Sequence, residues 1–261
     1  MTSTGRSEKP HVGLFVTCPV DLMRPSVGFA TIRLLEEAGC RVTVPPQSCC
    51  GQVAYNNGLP ADARRLAWQV VESFRDFDYL VTPSGSCAAM LREHYPPLFE
   101  GDSRRPEVNA FCDKVHELTR FLVEVVDFRP APGPAPREAA YHDSCAGLRE
   151  LGIRSQPRDL LAELAEIREI PGRDVCCGFG GTFCTKFPAI ANRMVEDKTD
   201  AVRHTGAELL VGGDVSCLIH IAGKLKRQER QDPGLKPVEV RHIAEVLAGD
   251  LDTPGIGDPR P

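Results

Sequence analysis

The sequence predicts an α/β protein of two similar halves with mostly parallel sheets, related by an internal pseudo-twofold axis. Short β-rich runs alternate with helical patterns along the chain, as in proteins whose parallel strands are joined by helices. Four cysteines of the first half recur in the second, three of them at a separation of 127 residues and the fourth at 130. The pairs are Cys18 and Cys145, Cys49 and Cys176, Cys50 and Cys177, and Cys87 and Cys217.

A connector rich in proline and glycine, residues 129–137, separates the two sets of cysteines. This composition is typical of a stiff, extended linker rather than of a helix or a strand. The sequence therefore predicts a first cysteine-rich repeat at residues 10–128 and a second at residues 138–251.

The first half shows strand and helix patterns in alternation. Apolar, β-rich runs predict strands at residues 11–17, 41–45 and 79–82. Helical spacing predicts helices at residues 26–39 and 59–74. The remainder, residues 88–127, is predicted to be mostly helical, with residues 115–126 as its clearest amphipathic stretch.

The second half repeats this order. Strands are predicted at residues 138–143, 167–170 and 208–211, and helices at residues 159–165, 188–204, 218–230 and 241–251. In both halves the strand runs lead into the recurring cysteines. Because ligands of open α/β sheets bind beyond the carboxyl ends of the strands, we expect metal sites at these strand ends.

Composition and charge restrict the class of protein. The chain has 261 residues, a net charge of −5 and eleven cysteines. No run approaches the roughly 18 apolar residues of a membrane-spanning helix, and residues 1–11 lack the apolar core of a secretory signal. We therefore expect a cytoplasmic protein without membrane insertion, and the acidic balance predicts no binding to nucleic acid. Cytosolic thiols stay reduced, which favours metal or redox chemistry over disulfides.

Adjacent thiols favour a polynuclear iron–sulfur centre over zinc. Structural zinc usually takes cysteines two to four residues apart, whereas neighbouring side chains diverge and suit different metals of one centre. Gly178, Gly180 and Gly181 follow the second pair, where glycine lets the backbone pass close to a bulky cofactor. Zinc remains an alternative, as does a Cys/His nucleophile formed by His142 and Cys145, although the latter leaves the duplication unexplained.

Other candidate residues keep two interpretations each. Cys40 and Cys112 are predicted to pack as small apolar residues. His142, His220 and Asp143 could tune or ligate a cluster from its edge, or could cap helices and bind loop amides. The sequence leaves open whether Cys184, a spare thiol of the second half, is a ligand. Arg149 and Arg154 could meet a carboxylate substrate, although a solvated surface is the simpler interpretation.

The recurring cysteines, the YHDSC motif at residues 141–145 and the CCGFGGTF loop at residues 176–183 resemble the CCG cysteine-rich domain. This domain occurs twice in the cysteine-rich component of heterodisulfide reductase and in the iron–sulfur component of glycolate oxidase, and the short two-repeat form is most similar to the lactate-utilisation branch. The resemblance implies one or two iron–sulfur clusters, expected to be [4Fe–4S], in an electron-transfer subunit of an oxidoreductase. The implied reaction oxidises L-lactate or a related 2-hydroxy acid to the 2-oxo acid.

The resemblance also implies partners: a ferredoxin-like iron–sulfur protein and a further subunit. No dinucleotide glycine fingerprint is present, so any flavin or nicotinamide site is expected on a partner. Two alternatives are a zinc-stabilised scaffold without turnover and a thiol/disulfide redox subunit like that of heterodisulfide reductase.

The chain departs from the family pattern at three points. The family motif ends in Cys-x-x-Cys, but Met90 follows Cys87 at three residues and His220 follows Cys217. Each half thus keeps four cysteines, enough for one four-iron cluster but fewer than the five of the family's split clusters, which argues against heterodisulfide-type chemistry. Ala146 stands where the family often carries histidine. The second half, which has the glycine loop and a spare thiol, is the better predicted site.

Overall fold

The computed structural model describes residues 9–131 and 137–259, which form two four-stranded sheets in which every pairing is parallel. The first sheet has the order β2-β1-β3-β4 and the second the order β6-β5-β7-β8. The strands are β1 (His11–Leu14), β2 (Arg41–Thr43), β3 (Tyr79–Thr82), β4 (Val115–Glu117), β5 (Arg137–His142), β6 (Ala165–Arg168), β7 (Leu209–Gly212) and β8 (Glu239–His242). The identical order confirms the predicted fold class of two α/β repeats.

Helices connect the strands and cover the sheets. The first half contains α1 (Cys18–Met23), α2 (Pro25–Glu37), α3 (Gln52–Asn56), α4 (Pro60–Ser73), α5 (Gly85–Ala89), α6 (Tyr95–Leu98), α7 (Arg105–Asp113) and α8 (Leu118–Arg120), with π-helical turns at Met90–His94 and Phe121–Val125. The second half contains α9 (Cys145–Arg149), α10 (Gln156–Leu161), α11 (Phe183–Lys186), α12 (Pro188–His204), α13 (Val215–Gln231) and α14 (Ile243–Leu247).

The fourth strand of each sheet lies where the sequence predicts helix. β4 occupies the start of the amphipathic stretch at 115–126, and β8 overlaps the helix predicted at 241–251. Val115 and Leu118 are buried, as are Val240 and Ile243. Each pair is spaced by three residues across a strand–helix junction, which imitates the periodicity of a continuous helix. Smaller shifts occur at β6 and α10, which both begin earlier than predicted.

A shared hydrophobic core joins the two sheets. Leu14 and Val81 of the first sheet belong to the same buried cluster as Leu209 and Val211 of the second. Two further clusters lie within one half each, and each contains two of that half's recurring cysteines. The two halves therefore pack as one body with a common interior.

Two sequence expectations concern segments rather than single residues. Of the predicted linker at 129–137, residues 132–136 lie outside the described residues, and the repeat boundaries at 10–128 and 138–251 stay a prediction.

Within residues 9–131 and 137–259, none of the helices has the length and apolar character required to cross a bilayer.

Candidate metal centres

Four of the eight recurring cysteines lie at the carboxyl ends of the central strands. Cys18 follows β1 and Cys87 follows β3; in the other half Cys145 follows β5 and Cys217 follows β7. The chain leaves β1 toward β2 at one edge and leaves β3 toward β4 at the other. The boundary between these central strands is a topological switch point, where open α/β sheets bind their ligands.

Helix caps hold three of these four cysteines in place. The side chains of Ser84 and Ser144 accept hydrogen bonds from the backbone N–H of Cys87 and of Gly147, and that of Asp214 accepts one from Ser216. Each cap fixes the first turn of a helix that begins just after a strand, and the cysteine lies in that turn. The strand, the cap and the cysteine therefore form one rigid unit.

In each half the four sulfur atoms form a chain of contacts in the same order. The thiols of Cys18 and Cys50 both lie within hydrogen-bonding range of Cys49, and the Sγ atoms of Cys50 and Cys87 are 3.6 Å apart. The second half repeats this order as Cys145, Cys176, Cys177 and Cys217. All eleven cysteines are free thiols, and the structure brings the eight predicted ligands together as two groups of four.

The second thiol in each row of sulfur contacts, Cys49 in the first half and Cys176 in the second, ionises most readily. Hydrogen bonds donated by the flanking thiols, Cys18 and Cys50, hold the pKa of Cys49 far below its usual value. Cys145 and Cys177 do the same for Cys176. The donating thiols have raised pKa values for the same reason, with burial adding to the effect. Because the thiolate is the form of cysteine that binds metals, Cys49 and Cys176 are the thiols of the two groups most ready to bind one.

Glycine shapes the turn after each cysteine pair. Gly51 and Gly178 have φ angles of 84° and 85°, in the left-handed region that favours glycine. A Cβ at Gly178 would lie 2.8 Å from the Cβ of Met194 and 3.0 Å from the carbonyl of Ala191, so the position also excludes larger residues by contact. The N–H of Gly178 donates to the Sγ of Cys176 over 3.4 Å. Gly180 and Gly181 continue the left-handed backbone at 52° and 62°.

The four sulfurs of each group are spread too widely for one tetrahedral zinc ion. Zinc–sulfur bonds of about 2.3 Å place the sulfurs of a tetrahedral site about 3.8 Å apart in every pair. Among the described residues, the group of three donor atoms found mutually within 4.8 Å is that of His142, Cys177 and Cys217, and it includes only two sulfurs. The sulfur chains therefore extend beyond one tetrahedral ion, although the histidine-containing trio is compact enough to hold one.

Of the predicted edge residues, His142 has a ligand atom within 4.8 Å of the sulfurs of Cys177 and Cys217. The side chain is 1% exposed, and neither ring nitrogen has a hydrogen-bond partner. Burial, with the charge of Lys198, lowers the pKa of His142 to about 4. Asp143 instead accepts two hydrogen bonds of 2.9 and 3.0 Å from the guanidinium of Arg158.

The remaining candidates lie outside the two sulfur chains. The Sγ of Cys184 donates to the carbonyl of Gly181 over 3.6 Å, and the ring of His220 packs at 6.0 Å from that of Phe179. Arg149 and Arg154 are exposed, and Arg149 donates to the carbonyl of Asp174. Cys40 and Cys112 are buried, as their predicted packing role requires.

Sequence reasoning missed Lys198, a lysine that is only 2% exposed. It lies in α12, whose charged composition resembles that of a surface helix. The signal that could have found it is the internal repeat, because the matching helix of the first half, α4, carries Val70 at this place.

The profile of the cysteine-rich domain family, CCG, matches residues 12–92 and again residues 139–222. The chain belongs to this family. Lactate utilization protein A of Exiguobacterium sp. is 45% identical over 244 residues, a match that covers 91% of this chain and 97% of that protein. The Bacillus subtilis protein of the same name is 44% identical over 240 residues, covering 90% and 98%. The resemblance predicted from the motifs is thereby confirmed.

A solved structure shares the fold of this family member. The crystal structure of a hypothetical protein from Helicobacter pylori aligns with a TM-score of 0.64 and 10% identity over 96% of this chain. The chain spans 50% of the length of that protein. At this identity the likeness supports the two-repeat fold alone.

Proposed function

We propose that the chain is an iron–sulfur electron-transfer subunit of an oxidoreductase complex that oxidises L-lactate or a related 2-hydroxy acid to the 2-oxo acid. The observation that carries this proposal is the pair of four-sulfur chains, one at the switch point of each sheet. The lactate-utilisation relatives supply the substrate class by their names. The proposed ligands are Cys145, Cys176, Cys177 and Cys217, and Cys18, Cys49, Cys50 and Cys87.

The soft thiolate donors of this chain suit iron, which supports a role in electron transfer. The sequence shows no glycine fingerprint for binding a dinucleotide. Converting a 2-hydroxy acid to a 2-oxo acid removes two electrons and two protons from the substrate. An iron–sulfur centre, when bound, accepts and passes on single electrons, with a potential set by its surroundings. The cofactor that takes both electrons from the substrate is then proposed to lie on a partner.

The proposed partners are a ferredoxin-like iron–sulfur protein and a further subunit, in the cytoplasm. Affinity purification of the tagged chain from its own cells tests this. Co-purification of such subunits, with L-lactate reducing the complex, is the expected result. Isolation of the chain alone with full lactate-oxidising activity would contradict the proposal.

Metal analysis tests the cofactor directly. The chain is purified without oxygen, and iron, acid-labile sulfide and zinc are measured per polypeptide. We expect a brown protein with about four or eight iron atoms, matching one or two [4Fe–4S] clusters, and a paramagnetic signal after dithionite reduction. Colourless protein with stoichiometric zinc would contradict the proposal.

A zinc-stabilised scaffold is the second candidate function. It is favoured by one observation, the compact trio of His142, Cys177 and Cys217. A scaffold of this kind would bind zinc in the second half alone, and that metal would stabilise the fold without a redox signal. The same metal analysis separates the two candidates.

A further inference from the structure

The two sulfur groups are equivalent in their ligands but differ in their surroundings. Matching the buried faces of α4 and α12 pairs the two helices at a separation of 128 residues. The pairs are Ala63 and Ala191, Ala67 and Val195, Val70 and Lys198, and Val71 and Thr199. The strands β1 and β5 keep the separation of 127 residues of the cysteines that follow them, which pairs Phe15 with His142.

In the first half both of these positions carry apolar side chains. Phe15 is 1% exposed and Val70 is fully buried. Both belong to the same hydrophobic cluster as Cys50 and Cys87. Nothing at these two positions can donate a hydrogen bond to sulfur or place a charge near it.

The second group has a polar donor at each position. His142 has its ligand atom within 4.8 Å of the sulfurs of Cys177 and Cys217, and its ring nitrogens are buried without a partner. A buried nitrogen without a partner destabilises the fold, so its presence calls for a group that satisfies it. A bound centre with exposed sulfide or thiolate sulfurs would supply that acceptor.

Lys198 adds a second donor on the same side. Its ammonium donates one hydrogen bond of 3.1 Å to the carbonyl of Gly172, and two of its three N–H groups remain. Burial lowers the pKa of Lys198, and the groups that oppose this by favouring its charged form are led by Cys177, Asp143 and Cys176. Buried lysines are rarely found without a carboxylate partner. We therefore expect a negatively charged group near Lys198 when the iron–sulfur centre is bound.

We infer that His142 and Lys198 stabilise the reduced centre at the second site relative to that at the first. The second site is therefore the one that accepts the electron. The inference rests on the proposed iron–sulfur function. Reduction adds one negative charge to a centre, and both a hydrogen bond to sulfur and a nearby cation favour that charge. With a centre bound at each site, one electron would pass from the first, which would be oxidised, to the second, which would be reduced, with no bond made or broken and no proton transferred.

The test is a redox titration of single-site protein. Cys18→Ser removes a ligand of the first site at an exposed position, leaving the four second-site cysteines intact. In this background we expect His142→Phe and Lys198→Met each to shift the midpoint potential of the second site to more negative values. Lys198→Arg, which keeps the charge, should have a midpoint potential close to that of the protein with Lys198. In the chain with all cysteines, the second site should have the more positive of the two potentials.

Controls separate failure of the inference from failure of the proposed function. His116→Phe removes a half-buried imidazole whose interacting charges are Arg92, Arg120 and Glu124 rather than cysteines, and should leave the potential unchanged. Iron-free wild-type protein would overturn the proposed function. Iron at wild-type level with unchanged potentials in His142→Phe and Lys198→Met would overturn the inference alone, as would loss of iron in His142→Phe, which would make His142 a ligand.

A measurement on metal-free protein provides an independent check. His142→Phe installs the residue of the first half and removes two buried nitrogens without partners. We expect the free energy of unfolding of the metal-free protein to rise, because an unsatisfied polar group is replaced by an apolar one. A decrease would mean that His142 is placed for packing rather than for a bound centre, and would count against the inference.

Discussion

The carboxylate of Asp214 accepts a hydrogen bond of 3.0 Å from the hydroxyl of Ser84, the residue that holds the equivalent place in the other half. Ser84 caps the helical segment that carries Cys87, and Asp214 caps the one that carries Cys217. Asp214 also accepts a 3.0 Å hydrogen bond from the backbone N–H of Ser86. One buried carboxylate therefore connects the segments that hold the last cysteine of each group.

Replacing Asp214 with alanine should destabilise the protein. Three hydrogen bonds to a charged acceptor are lost, and the N–H groups of Ser86 and Ser216 are left without it. We expect the free energy of unfolding to fall by about 2–4 kcal/mol. Denaturant unfolding of the metal-free protein measures this. Asp232→Ala is the control, since it removes one exposed hydrogen bond to Gly234; an equal loss in both variants would contradict the bridging role.

Gly85→Ala should disturb the contact between the halves. An added Cβ would lie 2.5 Å from the Oγ of Ser144 and 3.1 Å from backbone atoms of Gly147, so the cap of α9 must shift. Overpacking of this kind costs about 1–3 kcal/mol. Gly223→Ala provides the comparison, because that helical glycine has open space around it. Thermal unfolding should show a lower midpoint for Gly85→Ala, and a midpoint equal to that of Gly223→Ala would refute the expectation.

Cys177→Ser should lower the iron content of the purified protein. The sulfur lies in the middle of the second chain of contacts, so its loss separates Cys176 from Cys217. Because a bound centre would also order the glycine loop, limited proteolysis at residues 176–186 should become faster. Cys40→Ser changes a buried thiol of the hydrophobic core instead and should keep its iron. Unchanged iron in Cys177→Ser would remove the second site from the assignment.

Glu117→Gln should flatten the pH dependence of stability. Burial raises the pKa of Glu117 from 4.5 to about 7, so the folded state binds this proton more tightly than the unfolded state does. Its contribution is fully present below pH 4.5 and is lost as the pH rises through 7, a change of about 3 kcal/mol. Urea unfolding of the metal-free protein at several pH values checks this. The exposed Glu163→Gln should keep the wild-type slope; a slope equal to wild type in Glu117→Gln would show that another group is responsible.

The cysteine register predicted which sulfurs form each group, because three separations of 127 residues repeat the local strand–helix order as well as the thiols. The central strands were predictable for a similar reason: buried runs such as β3, Tyr79–Thr82, are apolar over most of their length. The edge strands β4 and β8 were not, since three or four residues next to a helix carry too short a pattern to be separated from it.

By itself, the sequence determined the two-repeat α/β class, the two groups of four cysteines and the glycine turns, since these depend on the internal repeat, on local periodicity and on backbone angles that glycine allows. Only the tertiary structure decided that Asp214 meets Ser84 and that His142 and Lys198 interact with one sulfur group. It also decided that Phe15 and Val70 share a hydrophobic cluster with cysteines of the other. Those contacts join residues distant in sequence, and the packing of whole sheets and helices sets their distances. The sequence does not distinguish a buried lysine such as Lys198 from a solvated one, because burial is a property of the fold.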